Sequence, residues 1–391
     1  MTQLLKSQTA ILLIFFNRPD LAKISLERLK GSSRNIYISV DGPRNKSDQP
    51  LVNECISLAE IFAQEHPKDG AVKFLIHKSN LGCKEAVRGA IDWAFETEER
   101  LIILEDDISF QNEFLETMDN WLEKFNDSKE IFHLNGYNPL PKNFEVDFSY
   151  LCRYTHVWGW ATWRDRWGFY DRDLQTWKGD DLRLLPGLIG QDLSDDFCEY
   201  WNRQLQACSE GLDTWDIQWL YSQWRYGGFS LTPGSRLTGN LGFDSRATHT
   251  KQSGGRSRER QPASHNGRFL NPEAPVFDLD LNLKHDSIEH GITGRNDFLK
   301  SPILGLKTVL ARTYLYMLNI KLFHQLTAFL LRKIKVSFST SERFRLVFDE
   351  IVLTFAKKPF SFFLRLKNWV NRGLALLIKV YKFLSWRILR K

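Results

Sequence analysis

Three acidic residues, Glu105, Asp106 and Asp107, come directly after the apolar run at residues 101–104. Neighbouring carboxylates at the end of a buried strand repel one another, which disfavours their joint ionisation unless a cation lies among them. Hard divalent cations such as Mg2+ and Mn2+ prefer carboxylate oxygens as ligands. The triplet therefore predicts a Mg2+ or Mn2+ site, and an acidic turn or helix start without metal is the alternative.

Polar residues that suit nucleotides and phosphates follow three other predicted strands. They are Asn17 and Arg18 after the first strand, Asp41 after the second, His77 and Asn80 after the third, and Arg88 in the next helix. Arg18 suits a diphosphate or a base, Arg88 suits a phosphate, and Asp41 suits uracil or ribose. A turn or a helix cap would explain each residue singly, whereas their recurrence at successive strand ends indicates a binding site.

Two common nucleotide-binding motifs are missing from the sequence. No Gly-x-Gly-x-x-Gly follows the first predicted strand, and no Gly-Lys-Ser/Thr of the Walker type occurs. Their absence disfavours dinucleotide-dependent oxidoreductases and P-loop enzymes. The charge of a bound phosphate must then be met by a metal and by arginine.

A run of aromatic residues surrounds Gly159. Flat aromatic faces beside polar groups suit the CH faces and the hydroxyls of a sugar. The alternative is a Trp-rich core helix, because Trp160, Trp163 and Trp167 share one face at helical spacing. We expect both, with Trp163 and Trp167 in the core, and with Trp158, Gly159 and Trp160 at a sugar site.

Asp216 lies among large aromatic residues, between Trp215 and Trp219. A carboxylate in such surroundings is a candidate general base. The same stretch also needs a helix N-cap, and Asp213 fits that position better than Asp216. Asp216 is therefore the predicted functional acid, and Asp213 is the predicted cap of the helix that carries Trp219.

The first 135 residues alternate short apolar runs with segments of helical period, which is the pattern of a parallel sheet with crossover helices. The predicted strands are 11–16, 35–40, 72–76, 101–104 and 130–134, and the predicted helices lie near 21–29, 51–65, 83–96 and 112–125. A further strand is predicted at 229–232. Ligands bind beyond the carboxyl ends of the strands in such sheets, which is where the polar residues lie.

The net charge of +6 conceals an uneven distribution along the chain. Residues 301–391 carry 18 Lys or Arg and three acidic residues, whereas the first 300 carry 35 basic and 44 acidic residues. The following basic residues fall on one side of a helical wheel: Arg372, Lys379, Lys382, Arg387 and Arg390. We therefore predict that residues 301–391 form a basic amphipathic helical region on an anionic membrane surface. An ordinary helical subdomain is the alternative, and nucleic acid is disfavoured because no binding motif accompanies the charge.

The cellular location is predicted from cysteines and apolar runs. Five widely spaced cysteines without a Cys-x-x-Cys pair indicate neither a disulfide framework nor a zinc site, and they favour a reducing compartment. No uncharged apolar run reaches the roughly 18 residues of a transmembrane helix. We expect a cytoplasmic protein, bound peripherally to the inner face of the cytoplasmic membrane. Residues 251–300 are predicted to be a flexible loop or linker, and His249 just before them is a candidate metal ligand.

The polar motifs together resemble those of nucleotide-sugar glycosyltransferases of the GT-A fold. The matching stretches are Phe16-Asn17-Arg18-Pro19, Val40-Asp41-Gly42-Pro43-Arg44, Asn80-Leu81-Gly82-Cys83 and Ile103-Leu104-Glu105-Asp106-Asp107. They resemble bacterial family-2-like transferases and are similar to the N-acetylglucosaminyltransferase I family, whose metal motif is also Glu-Asp-Asp. The resemblance covers residues 8–250 and implies an α/β, Rossmann-like fold with a mostly parallel sheet and flanking helices. It divides them into a nucleotide-binding half, 8–135, and an acceptor and catalytic half, 147–250.

The resemblance also implies roles for single residues. Asp107 would ligate Mn2+ or Mg2+ on the donor diphosphate, with Glu105 and Asp106 contacting the ribose and a metal-bound water. The nucleotide would be held by Arg18, Asp41 and His77. Asp216 would be the base of an inverting transfer, although the family has two adjacent acids where this chain has Asp216-Ile217.

The implied reaction is sugar transfer from a nucleoside-diphosphate donor, UDP-linked by the resemblance, to a hydroxyl of a carbohydrate or lipid-linked acceptor. Surface polysaccharide or glycolipid synthesis would need such a step. One rival is a sugar-phosphate nucleotidyltransferase, which would be expected to carry a Gly-rich basic loop after the first strand. The other is a non-catalytic carbohydrate-binding protein, which would explain the tryptophans but not the acids at residues 105–107.

Overall fold

In the computed structural model, residues 8–179, 181–191, 193–242, 272 and 275–292 are described, and every structural statement below concerns these residues. The strands are β1 (Ala10–Phe15), β2 (Ile36–Val40), β3 (Val72–Ile76), β4 (Arg100–Glu105), β5 (Ile108–Phe110), β6 (Ile131–Asn135), β7 (Tyr150–Cys152), β8 (Trp160–Trp163), β9 (Phe229–Thr232) and β10 (Thr238–Asn240). The α-helices are α1 (Pro19–Leu29), α2 (Gln49–Glu65), α3 (Gly82–Phe95), α4 (Asn112–Lys124), α5 (Arg164–Trp167), α6 (Asp195–Ser209), α7 (Asp216–Arg225) and α8 (Leu279–His290).

Eight of the strands form one sheet in the order β3-β2-β1-β4-β8-β6-β9-β7. The pairs from β3 through β4 are parallel, as is the pair β6 and β9, whereas β8 and β7 run antiparallel to their neighbours. Strands buried on both faces read as continuous apolar runs, which is why the predicted and observed central strands agree closely. The prediction of an α/β fold with a large, mostly parallel sheet and flanking helices is confirmed.

Alternate residues of β1 belong to two different cores, because successive side chains of a strand point to opposite faces. Ile11 and Leu13 share a core with residues of α1, α2 and α4. Leu12 and Ile14 share another with residues of α3 and the start of α7. The helices thus cover both faces of the sheet. A site can therefore form at the carboxyl ends of the parallel strands.

Trp160 and Trp163 lie in strand β8, so the prediction that they share one face of a helix is wrong. Helical spacing is misleading here because residues three apart in a strand point to opposite faces. Trp160 accordingly belongs to the core on the α3 side, and Trp163 belongs to the core on the other side. Trp163 and Trp167 are 2% and 5% exposed, which confirms that both are core residues.

A third core surrounds β7, α6, α7 and α8, where Tyr150, Leu205, Trp224 and Leu281 are buried together. Because α8 falls within residues 251–300, a core helix interrupts the predicted linker. Residues 301–391, the predicted membrane-binding region, lie outside the described residues. Within the part of the chain that the structure describes, no helix is long and apolar enough to cross a membrane.

Candidate active site

The acidic triplet lies where β4 ends. Glu105 is the last residue of the parallel ladder between β4 and β1, opposite Ile14. The chain then turns through Asp106 and Asp107 into β5, which pairs with β10. The N–H of Leu241 donates to the carbonyl of Asp107 at 2.8 Å, which fixes the turn against the chain that leaves β10.

Arg18, in the loop between β1 and α1, contacts two of the three acids. Its Nη2 atom lies 2.6 Å from Asp106 Oδ1, and its Nη1 atom lies 3.0 Å from Asp107 Oδ2. Both ion pairs are largely shielded from water, because the Arg18 side chain is 14% exposed and that of Asp106 is 4% exposed. Gly242 closes the cluster, since a Cβ atom at this position would overlap Asp107 Oδ2 and lie 2.6 Å from Arg18 Nη1.

The electrostatics of the cluster suit a divalent cation. Burial raises the pKa of Glu105 and of Asp106, and the neighbouring carboxylates raise both further while Arg18 opposes the rise. Three carboxylates and one guanidinium carry a net charge of −2, which one divalent cation neutralises. The available donors are carboxylate oxygens, the ligand type of Mg2+ and Mn2+. Asp106 and Asp107 therefore offer the donor type that the expected metal would need, with Glu105 beside them.

Asp41 ties the end of β2 to the loop after β3. Its Oδ1 atom accepts hydrogen bonds from the N–H groups of Gly42 at 2.8 Å and Leu81 at 3.0 Å, and Oδ2 accepts one from Asn80 Nδ2 at 2.7 Å. Burial raises the pKa of Asp41, and the N–H donors oppose the rise. In the same loop, the Nε2 atom of His77 is buried without a hydrogen-bond partner among the described residues. The structure thus brings three predicted nucleotide-binding residues together.

Asn17 and Arg88 have other partners. Asn17 Nδ2 donates to Asp48 Oδ1 at 2.8 Å. A hydrogen bond from the Arg44 guanidinium to the same carboxylate lowers the pKa of Asp48 to about 2. Arg88 forms ion pairs with two acids of its own helix, α3. Asn17 therefore lies just after β1 as predicted, and the ion pairs of Arg88 are with acids of α3.

A pocket of about 220 Å³ contains Asp216 in its lining. Asp216 is the first residue of α7 and is half-buried, and its Oδ1 atom accepts a hydrogen bond from the hydroxyl of Thr214. Trp158 lines the same pocket, and its ring centroid lies 4.4 Å from that of Tyr137. The predicted acid and one predicted sugar-binding tryptophan therefore lie in a single cavity.

Other polar and aromatic residues line this pocket without having been singled out in the sequence: Thr155, His156, Trp201, Glu289 and His290. Thr155 Oγ1 and His290 Nε2 are buried and have no hydrogen-bond partner in the described part of the chain. Buried polar atoms are nearly always paired, so these atoms favour a ligand with several hydroxyl groups. No motif marks Glu289 and His290, because α8 meets the pocket only through tertiary packing.

Gly159 and Trp160 do not contribute side chains to the pocket. Gly159 has a φ of +76°, and a Cβ atom there would lie 2.7 Å from Thr238 Cγ2. Glycine is therefore needed for the backbone to adopt this conformation so close to Thr238. Trp160 is completely buried, with its ring stacked at 4.7 Å on His133 and at 5.5 Å on Trp215. The prediction that Trp160 contacts a sugar is therefore wrong, because no part of its ring is accessible.

Asp213 caps a different helix from the one predicted. Its two carboxylate oxygens accept hydrogen bonds from the N–H groups of Cys83 at 2.9 Å and Lys84 at 2.8 Å, in the first turn of α3. Helix α7 has Trp215 at its N-cap, and the Trp215 side chain makes no capping hydrogen bond. Asp213 thus links the segment before α7 to the start of α3 rather than capping its own helix.

Cys83, at the start of α3, lies among acids from both halves of the chain. Burial raises the pKa of its thiol well above the ordinary value, and four carboxylates repel the thiolate further: Glu105, Asp216, Asp213 and Asp41. Hydrogen bonds show the same closeness for two of these acids, because Asp213 accepts from the Cys83 N–H at 2.9 Å and Asp41 accepts from the Leu81 N–H at 3.0 Å.

The remaining predicted metal ligand, His249, lies outside the described residues. Compared with known proteins, the chain matches no protein-family model and no curated protein.

Proposed function

We propose that this chain is a metal-dependent glycosyltransferase. It would transfer a sugar from a nucleoside diphosphate, UDP in the first instance, to a hydroxyl of a carbohydrate or lipid-linked acceptor, with inversion at the anomeric carbon. The observation that carries the proposal is the presence of two carboxylate sites: the buried Arg18, Asp106 and Asp107 cluster at the end of β4, and Asp216 in the lining of a pocket of about 220 Å³. Surface polysaccharide or glycolipid synthesis at the inner membrane face is the proposed setting.

The donor would lie at the carboxyl ends of β1, β2 and β4. Asp107 and Asp106 would hold Mn2+ or Mg2+, which supplies positive charge for the departing diphosphate when bound. Arg18 keeps these carboxylates in place and reduces their mutual repulsion, because it contacts both at 2.6 and 3.0 Å. The Nε2 atom of His77, which has no partner among the described residues, would bond the base or the ribose, and Asp41 would hold the surrounding loop through its bonds to Leu81 and Asn80.

The acceptor would occupy the pocket beside Asp216. The hydroxyl of Thr214 bonds Asp216 Oδ1, which orients the carboxylate and leaves Oδ2 for an acceptor hydroxyl. The rings of Trp158 and Tyr137 offer apolar surface to the CH groups of a sugar. Unpaired polar atoms of the same pocket, such as Thr155 Oγ1, would bond its hydroxyls.

In the proposed reaction the acceptor oxygen attacks the anomeric carbon from the side opposite the diphosphate. The new carbon–oxygen bond forms while the bond to the diphosphate breaks, and the diphosphate leaves with the electron pair. The proton of the acceptor hydroxyl passes to the Asp216 carboxylate. Holding both reactants in this alignment and compensating the leaving charge are the two contributions of the protein.

A nucleotide panel tests the proposal. We expect one nucleoside diphosphate to raise the melting temperature in the presence of Mn2+, and the matching nucleotide-sugar to be hydrolysed slowly without acceptor. Asp107→Asn should abolish both effects. Asp119→Asn is the matched control, because Asp119 also pairs with an arginine, Arg34 at 2.6 Å, but near the amino ends of β1 and β2. If no nucleotide or nucleotide-sugar binds with Mn2+ present, the proposal fails, and release of pyrophosphate from UTP and a sugar phosphate would favour a nucleotidyltransferase.

A further inference from the structure

Three side chains with thiol or imidazole donors meet beside the pocket. They are Cys152 at the end of β7, His156 in the following loop, and His285 on α8. One donor atom from each lies within 4.8 Å of the other two. Cys152 and His285 are completely buried, and His156 is 8% exposed. These residues come from positions 152–156 and 285, so only the docking of α8 assembles the cluster.

The spacing of the two imidazoles is that of ligands sharing an ion. His156 Nε2 and His285 Nδ1 lie 3.1 Å apart. Zinc binds imidazole nitrogen at about 2.0 Å and thiolate sulfur at about 2.3 Å, so the donors around one ion lie roughly 3 to 4 Å apart. The nitrogens already have this spacing, and the Cys152 sulfur lies within 4.8 Å of both.

Each donor also has an outer partner of the kind that orients metal ligands. The second ring nitrogen of His285 lies 2.7 Å from the Tyr150 hydroxyl, and an Nε2–H donated there leaves the Nδ1 lone pair directed at His156. Cys152 Sγ accepts a hydrogen bond from the N–H of Tyr154 at 3.4 Å. His156 Nδ1 lies 3.9 Å from Glu289 Oε2. Such outer contacts fix the tautomer and direction of ligands in metal sites.

The charges around the cluster tolerate a cation. Arg153 is fully buried, but its Nη1 atom lies 3.8 Å from Asp286 Oδ2, so the two charges offset each other. A divalent ion would then be balanced by the Cys152 thiolate and by Glu289. Without an ion, the two imidazoles share one ordinary N–H···N hydrogen bond.

We propose that Cys152, His156 and His285 bind one Zn2+ ion, which fastens α8 to the end of β7. A mixed thiolate and imidazole set is a typical zinc environment. Helix α8 already packs its Leu281 into one core with Tyr150, and polar links such as the Arg153 N–H bond to Asn282 Oδ1 at 2.9 Å add to this, so an ion would reinforce the contact. Because α8 carries Glu289 and His290, the ion would also fix one wall of the pocket.

Elemental analysis of the full-length, tag-free protein after dialysis against a weak chelator tests the proposal. We expect one zinc per chain, falling about tenfold or more in Cys152→Ser and in His285→Ala, because each removes a direct ligand. Cys208→Ser is the matched control, since Cys208 is also buried but lies on α6, and it should retain zinc. Asp107→Asn should retain zinc as well, which separates this site from the proposed Mn2+ or Mg2+ site.

A second measurement avoids dependence on the variants. Cobalt added to the zinc-free wild-type protein should give the near-ultraviolet charge-transfer absorption of a thiolate ligand. Wild-type protein that contains no zinc and gives no such absorption with cobalt overturns the proposal, whatever the variants do. Equal zinc content in Cys152→Ser and wild type would overturn it too, because the ion would then lie elsewhere.

Discussion

Arg18 is the residue on which the acidic cluster depends when no other cation is bound, because its guanidinium contacts both Asp106 and Asp107. Burial raises the pKa values of Glu105 and Asp106. One guanidinium does not neutralise three carboxylates, and the excess negative charge raises these pKa values further. At residue scale the cluster is therefore electrostatically strained in a way that a divalent cation would relieve.

This strain makes stability depend on pH. The pKa of Glu105 is raised in the folded protein above its unfolded value, so the folded state binds more protons between the two values. The contribution of Glu105 to stability is therefore fully present below its unfolded pKa. It is lost as the pH rises from the unfolded pKa through the folded pKa. In chelator, we expect a lower melting temperature near pH 8 than near pH 5, and a smaller difference in Glu105→Gln.

The exposed Glu27→Gln serves as the control for this titration, since Glu27 lies on α1 with a side chain that is 64% exposed. It should show the same pH dependence as wild type. Mn2+ should raise the melting temperature of wild type most at the higher pH, because the carboxylates are then ionised. An unchanged pH dependence in Glu105→Gln would contradict the assignment of the strain to this residue.

Asp216 is the residue at which catalysis and stability should separate. Asp216→Asn keeps the size and the Thr214 contact but cannot accept a proton, so we expect kcat to fall by about 100-fold to 10,000-fold. The KM for the donor should change little, because the donor contacts lie at other residues. Steady-state kinetics with a fixed acceptor measures both. A loss confined to KM would indicate an acceptor-binding role for Asp216 rather than proton transfer.

At the scale of elements, Asp213 joins the start of α3 to the segment before α7. Asp213→Ala removes both hydrogen bonds from the first turn of α3, and losing an N-cap costs about 1 kcal/mol. The melting temperature should fall by about 2 to 4 °C for a domain of this size. Residual activity per folded molecule should stay within about twofold of wild type. Thermal unfolding and activity assays on the same samples therefore distinguish Asp213 from Asp216, which should show the opposite pattern.

Gly242, two residues after the end of β10, lies against the acidic cluster. Gly242→Ala would force its Cβ atom into Asp107 Oδ2 and Arg18 Nη1, and such overpacking costs about 1 to 3 kcal/mol. We expect a lower melting temperature together with weaker Mn2+ binding, measured by calorimetry. Gly89→Ala on α3 is the control, because a Cβ atom there meets nothing within 4 Å and alanine favours a helix by about 1 kcal/mol. Unchanged Mn2+ binding in Gly242→Ala would separate β10 from the metal site.

At the scale of the whole molecule, the sequence predicts the layers better than the contacts between them. The apolar runs of β1 to β4 and the helical periods of α1 to α4 are local signals, and the observed bounds lie within two residues of the predicted ones. The acids at residues 105–107 and Asp216 were found because carboxylates next to apolar residues stand out locally. The exact partner of each, such as Arg18 for Asp107, depends on which strands become neighbours.

The failures have the same physical origin. Trp160 is of a residue type that suits sugar binding, but it lies in β8, between β4 and β6, where it is completely buried. Asp213 has the form of a local cap, yet its N–H donors belong to Cys83 and Lys84, about 130 residues earlier. Glu289 enters the pocket from α8, where no local signal marks it. In each case a contact between distant segments decides the role.

The largest charge asymmetry of the molecule is the basic region 301–391, and its function remains a prediction from sequence. Each basic residue near an anionic surface contributes about 1 kcal/mol, so replacing Lys379, Lys382 and Arg387 by Gln should weaken binding to anionic vesicles about 100-fold or more. Co-sedimentation with vesicles containing phosphatidylglycerol measures this. Binding should also weaken with added salt and be absent with purely zwitterionic vesicles.

The matched control replaces three exposed lysines of the first 130 residues by Gln. Lys23, Lys30 and Lys129 have side chains that are 62%, 67% and 56% exposed, and each pairs with an acid. Because three basic residues are replaced in both variants, the change in net charge is the same and only the position differs. If both triple variants lose vesicle binding equally, overall charge rather than the basic region drives association. If only the variant of residues 379–387 loses it, the basic region is the membrane-binding element, and its attachment would keep the proposed acceptor pocket close to lipid-linked substrates.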